Sequence, residues 1–298
     1  MRTPSGWLRD PWRKPRVLQV MTWSYLAWSL LPVAIAILIS FNSGRSNGSL
    51  QGFSLQWWNG APVGDPQGSL FTDPDLHAAI FQTLRLSIIS MLIAVPLGVS
   101  FAIGLDRWRG RPAATANFVM LVSFVVPEII IGVAMFLFFT YLLQQTLHLT
   151  IKLGTTAQVI GLVAFQVSYP VIIVRARLLS IGKEYEEAAM DLGAPPRQAI
   201  RRVLLPLLYP AIFASFALVF ADVVDDFVTV RYLSGKSTTE TLSVKIYSAV
   251  RGSATPVYNA AATFLLVATV IGIAVGYVVF KWFGRGQRAT ATEFAAQI

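Results

Sequence analysis

Cysteine is absent from this 298-residue chain, and only two histidines occur. With no cysteine there is neither a disulfide framework nor a thiolate metal site. His77 and His148 are far apart and receive no role. Charge is scarce as well: 13% of residues are charged against 55% hydrophobic, which excludes an ordinary soluble domain. No glycine-rich phosphate loop of the G-x4-G-K-[ST] form is present, so the chain is not expected to hydrolyse ATP or to bind a cofactor. If it pumps, a partner supplies the energy.

What the chain does have is apolar length. Six runs are long enough to cross a bilayer, near Val17–Phe41, Ala78–Leu105, Ala114–Leu143, Thr156–Val174, Leu205–Val230 and Tyr258–Trp282. They predict an all-α integral membrane protein of six transmembrane helices. The first run is too long for a signal-peptide core and reads as an uncleaved helix. Seventeen lysines and arginines fall before the first span, in the second-to-third and fourth-to-fifth loops and in the tail, against six in the opposite loops. By the positive-inside rule both termini are cytoplasmic. This spread of basic residues over four membrane-flanking segments argues against nucleic-acid binding. The expected organisation is a cytoplasmic segment over 1–16, a membrane domain over 17–282 and a cytoplasmic tail over 283–298.

The longest outer loop, Asn42 to His77, turns aromatic at Trp57 and Trp58, read as membrane-interface anchors or as contacts for a docking partner. Asp73-Pro74 reads as an N-cap and first-turn proline opening the second span.

On the cytoplasmic side, residues 183–192 are good helix formers, and Gly193 stands where a helix end favours a left-handed residue. Pro195 and Pro196 stop that helix and can open the next. Ala188 and Ala189 leave a face without bulk, which a partner groove could approach closely. Glu184, Glu186 and Glu187 suit the positive end of the helix dipole.

Ionisable groups inside spans are costly and are functional candidates by default. Here they are Arg85, Glu128, Asp222, Asp225 and Asp226. Glu128 lies about 14 residues into an outward-running span, roughly 21 Å at 1.5 Å per residue. Asp222 stands at a similar depth, and Asp225 and Asp226 follow on the same helical face. Two readings are open. Arg85 or Arg231 offsets the carboxylates, or the acids line a passage for a cationic solute. Pro127 and Pro170 are the places where helices would bend around such a cavity.

The stretch Glu187-Ala188-Ala189-x3-Gly193-x9-Val203-x-Leu205-Pro206 resembles the cytoplasmic coupling loop, E-A-A-x3-G-x9-I-x-L-P, of the permease subunits of binding-protein-dependent ABC importers. Val203 replaces the isoleucine. The segments 221–230 (ADVVDDFVTV), 242–251 (LSVKIYSAVR) and 255–263 (TPVYNAAAT), with Val126-Pro127-Glu128, resemble the C-type permeases of spermidine/putrescine importers over residues 15–285. The chain departs from them at Leu233-Ser234-Gly235-Lys236-Ser237, where a glycine-proline pair is frequent, and at Arg231.

The resemblance implies a six-span type I importer permease (MetI-like) fold in a bacterial cytoplasmic membrane, with a coupling loop over about 180–206. It implies a homologous permease partner, two ATPase subunits using ATP and magnesium, and an extracytoplasmic solute-binding protein. Alternating access would move a polyamine or similar small cation. Related permeases carry other solutes, such as ferric ion, amino acids or opine-like compounds. A six-span cation channel would explain the acids but not the loop.

Overall fold

The computed structural model describes residues 16–60, 68–108, 110–146, 148, 151–252 and 255–295. The expected N-terminal segment therefore lies almost wholly outside the described residues. Twelve helices follow in order: α1 (Arg16–Ile39), α2 (Pro74–Arg107), α3 (Arg111–Val125), α4 (Glu128–Leu137), α5 (Thr155–Gln166), α6 (Ser168–Ile181), α7 (Glu184–Asp191), α8 (Pro196–Ala199), α9 (Leu205–Asp225), α10 (Val228–Leu233), α11 (Leu242–Arg251) and α12 (Pro256–Ala295). Among the described residues no strand forms beyond one isolated bridge between Asn42 and Phe53. Among the described residues six segments are long and apolar enough to span a membrane. The all-α, six-span expectation holds.

Proline decides where these spans are interrupted. The expected third span is not one helix: α3 ends at Val125, and Val126 and Pro127 are extended, at ψ 129° and 134°. Proline pushes its preceding residue out of the helical region and offers no N–H, so α4 begins afresh at Glu128. The fourth span is interrupted at Val167, between α5 and α6, where Pro170 supplies no N–H to the Gln166 carbonyl. The fifth span opens with π-helical turns over Ile200–Leu204, just before Pro206. A missing proline donor and a ring pressing on the carbonyl four residues back widen the helix there.

The same span ends sooner than its apolar run suggests. α9 stops at Asp225, Asp226 is extended at ψ 115°, and the chain restarts as α10. The expectation that Asp222, Asp225 and Asp226 share one helical face is thereby corrected for Asp226 alone: Asp222 and Asp225 remain three residues apart on α9. Continuing the helix would stack three carboxylates on one side, and breaking it lets Asp226 Oδ1 accept the Val230 N–H at 3.2 Å.

The core lies where α2, α6 and α9 meet. Leu86, Val95, Val174, Leu178, Leu208, Val219 and Val223 are buried there with Leu162 of α5. α1 buries none of its residues in this chain. α10 fits against α4 and α5 because glycines face it: a Cβ on Gly161 would stand 2.5 Å from Leu233 Cδ1, and one on Gly132 would stand 3.0 Å from Tyr232.

A second cluster closes the outer end. Trp57 is fully buried among Leu70, Leu76, Ile80, Leu242 and Val257, and its Nε1 donates to Asn42 O at 2.7 Å. Trp58 stacks on Phe41 and donates to Ser40 O at 3.1 Å. Both tryptophans thus tie the outer loop onto the bundle, and the fully buried Trp57 is not a membrane-interface anchor. Large rings release more free energy by filling this core than by lying at the headgroups, and each indole N–H finds a carbonyl. As expected, Asp73 caps α2, its Oδ1 accepting from the N–H groups of Asp75 and Leu76 at 2.8 and 3.3 Å.

Candidate functional site

The breaks in the third and fifth spans bring four acids to one place. Glu128, the first residue of α4, and Asp222, Asp225 and Asp226 at the end of α9 line an open cleft of about 300 Å³ with Leu218 and Ala221. Glu128 stands at the positive end of a helix dipole. The aspartates stand at a negative end, where unpaired carbonyls add to their charge. The four do not have equal surroundings. Asp226 is buried and holds α10 through Val230. Asp222 Oδ2 accepts from Gln166 Nε2 at 2.6 Å, and the Tyr169 hydroxyl lies beside the same carboxylate. Glu128 is half-exposed and Asp225 exposed.

Arginine does not relieve this charge. Arg231 pairs with Glu240 at 3.0 Å, and Lys245 reaches the same carboxylate at 3.7 Å. Arg85 is exposed on α2 and does not line the cleft. Among the described residues no lysine or arginine forms an ion pair with any of the four acids. Of the five in-span charges, the structure brings four together and leaves Arg85 outside. It also removes Arg231 as their counter-ion. An open cleft with four carboxylates, none of them paired to a lysine or arginine among the described residues, is suited to attract a cation from solution.

At the other end, α7 projects from the bundle. Glu186 is largely buried and forms an ion pair with Arg107 in the last turn of α2, which fixes α7 from behind. The outward side presents Tyr185, Ala188 and Leu192 at i, i+3 and i+7; Leu192 is 90% exposed. Ala189 is half-buried and Glu187 exposed. Gly193 takes φ +86°. The Gly193 N–H donates to Met190 O at 2.9 Å and the Ala194 N–H to Ala189 O at 3.0 Å, the paired bonds of a Schellman stop. Pro195 and Pro196 open α8, and Leu205 and Pro206 begin α9.

Sequence reasoning missed several of these partners. Gln166 and Tyr169 are one residue type each in an apolar run, a signal that is visible but easily read as filler. Gln82 and Gln158 are similar. Gln82 Nε2 donates to Gln158 Oε1 at 2.9 Å, and Gln158 Nε2 donates to Thr239 O at 2.8 Å, which ties α2 and α5 to the outer loop. The Arg107–Glu186 pair joins residues 79 apart in the chain, and no local pattern announces it.

Comparison with known proteins agrees with this architecture. Over 282 residues, 94% of each chain, it is 29% identical to the putrescine transport system permease protein PotI of Escherichia coli K12. It is 30% identical over 245 residues to the spermidine/putrescine transport system permease protein PotC of the same strain, covering 82% of this chain and 86% of PotC. A permease chain of a bacterial alginate ABC transporter, solved in complex with an alginate pentasaccharide-bound periplasmic protein, superposes with a TM-score of 0.71 at 17% identity, over 90% of this chain and 95% of that one. A chain of the inward-facing MetNI methionine ABC transporter gives a TM-score of 0.55 at 20% identity, over 71% of this chain and 95% of that one. These two structures share the fold. Residues 94–289 match the family of binding-protein-dependent transport system inner membrane components, and the chain belongs to that family of ABC importer permeases.

Proposed function

We propose that this chain forms half of the membrane pathway of a polyamine importer. The acidic cleft carries the reading: four carboxylates at the ends of two broken spans, with no lysine or arginine paired to them among the described residues. A small polyammonium ion matches that charge, and the similarity to PotI and PotC points to the same solute class. A homologous permease completes the pathway. The Tyr185–Ala188–Leu192 stripe on α7, with Glu187 and Ala189 at the matching coupling-loop positions, is the face that an ATPase groove would cover. Two such ATPases use ATP and magnesium, and an extracytoplasmic binding protein delivers solute. With both termini cytoplasmic, ATPase closure draws paired α7 helices together and opens the outer side, and hydrolysis restores the inward-facing state.

Uptake of labelled putrescine and spermidine into proteoliposomes holding the full complex tests this. Uptake that needs both ATP and loaded binding protein, and that unlabelled diamine suppresses, is the expected result. Competition by ferric ion or an amino acid instead would reassign the solute. Cation current without ATP would replace the importer with a channel.

A further inference from the structure

Gln166 stands apart from every other residue near the cleft. It is fully buried, its Nε2 donates to Asp222 Oδ2 at 2.6 Å, and its Oε1 has no hydrogen-bond partner. The amide is not simply turned the wrong way round. Exchanging its oxygen and nitrogen would set Oε1 against the Asp222 carboxylate, an acceptor facing an acceptor. A buried amide oxygen left without a donor is uncommon and calls for a physical reason.

Its position supplies one. An amide oxygen lies about 2.3 Å from its own nitrogen by covalent geometry, so Oε1 is no more than about 5 Å from Asp222 Oδ2. A single nitrogen placed between two acceptors that close can donate to both at ordinary hydrogen-bond lengths. A primary ammonium has three N–H donors and no acceptor, which is what a carboxylate and an orphaned carbonyl oxygen lack. Gln166 is also the last residue of α5, next to the break at Val167 before α6, and Asp222, which it holds, lines the cleft.

We propose that Gln166 and Asp222 form a subsite for one primary ammonium group of the solute: Gln166 holds Asp222 in place through its N–H2, and the ammonium completes both acceptors. The cluster of acids alone would attract any small cation. The orphaned amide oxygen is what selects an N–H donor over a fully methylated amine, which has no N–H to offer it. Tyr169, whose hydroxyl adjoins Asp222, is a second support for that carboxylate. This inference rests on the polyamine reading of the cleft.

The test uses the purified complex of permeases and ATPases without binding protein, and reads thermal stabilisation across a series of concentrations of putrescine and of its hexa-N-methylated analogue, whose quaternary ammonium groups have no N–H. Wild type should be stabilised by putrescine at concentrations about tenfold lower than by the analogue. Gln166→Met keeps length and volume but has no amide, and should abolish that tenfold preference. Tyr169→Phe, which leaves the ring in place, should reduce it a few-fold and serves if the Gln166 variant does not assemble. A preference unchanged in both variants, or none in wild type, overturns the subsite. Uptake of putrescine by the wild-type proteoliposomes, measured in parallel, separates the two levels: uptake without a Gln166 effect removes only the subsite, whereas absence of uptake removes the polyamine reading and the subsite with it.

Discussion

Gly193 shows how much one backbone angle can carry. Its φ of +86° closes the Schellman stop, and a Cβ there would meet nothing within 4 Å. Any substitution is therefore penalised by backbone conformation alone, about 1–2 kcal/mol for an ordinary L-residue and more for a β-branched one. Gly193→Val should abolish stimulation of ATP hydrolysis by loaded binding protein while the chain still inserts. Gly193→Asn, which tolerates the left-handed region, should keep most of it. Phosphate release from reconstituted complexes measures both, and normal stimulation in the valine variant would contradict the coupling role of this loop. The aspartates differ in the same residue-by-residue way. Asp225→Asn should lower uptake about tenfold, roughly 1.4 kcal/mol of binding or barrier, with assembled yield unchanged. Asp226→Ala removes the acceptor of the Val230 N–H and should cost about 1 kcal/mol of stability, seen as a lower Tm, whereas Asp226→Asn keeps an oxygen there. The double Asn variant should nearly stop uptake. Full uptake by a well-assembled double variant would leave the cleft without a role in transport.

Among the elements, α7 and α10 depend on opposite kinds of contact. α7 is short and polar, so packing cannot hold it, and the Arg107–Glu186 pair anchors its buried side. Because Arg107 is 37% exposed, solvent screens that pair, and its loss is worth no more than about 1 kcal/mol. Glu186→Gln should accordingly barely shift Tm yet weaken stimulated hydrolysis by letting α7 shift. Leu192→Asp on the outer stripe should leave Tm unchanged and reduce ATPase co-purification. Equal co-purification with wild type would show that this stripe is not the docking face. α10 is held instead by close approach. Gly161→Val would drive side-chain atoms into Leu233 and Thr229 of α10 and should cost about 1–3 kcal/mol by overpacking, with uptake falling together with Tm.

For the molecule as a whole, six spans, their basic flanks and the loop between the fourth and fifth were legible in the sequence. A bilayer demands about 20 apolar residues per helix, and this requirement is written locally in composition. The stop at Gly193 and the cap at Asp73 were legible for a similar reason, since each depends on a few neighbouring residues. Trp57 was misread because an aromatic ring near a span end is a good interface residue until a pocket is there to take it. Proline at 127 and 170 marked two helix breaks, yet the length of each break is decided by packing and is not stated by the proline itself. Local sequence thus determined that this chain crosses a membrane, where it turns and that its acids fall in apolar runs. Only the tertiary structure decided that Glu128 and the aspartates meet while Arg85 does not, that Arg231 answers Glu240, and that Gln166 reaches Asp222. Those partners come from different helices, and the relative rotation of helices is set by the core of α2, α6 and α9, a sum of many contacts that no single stretch of sequence contains.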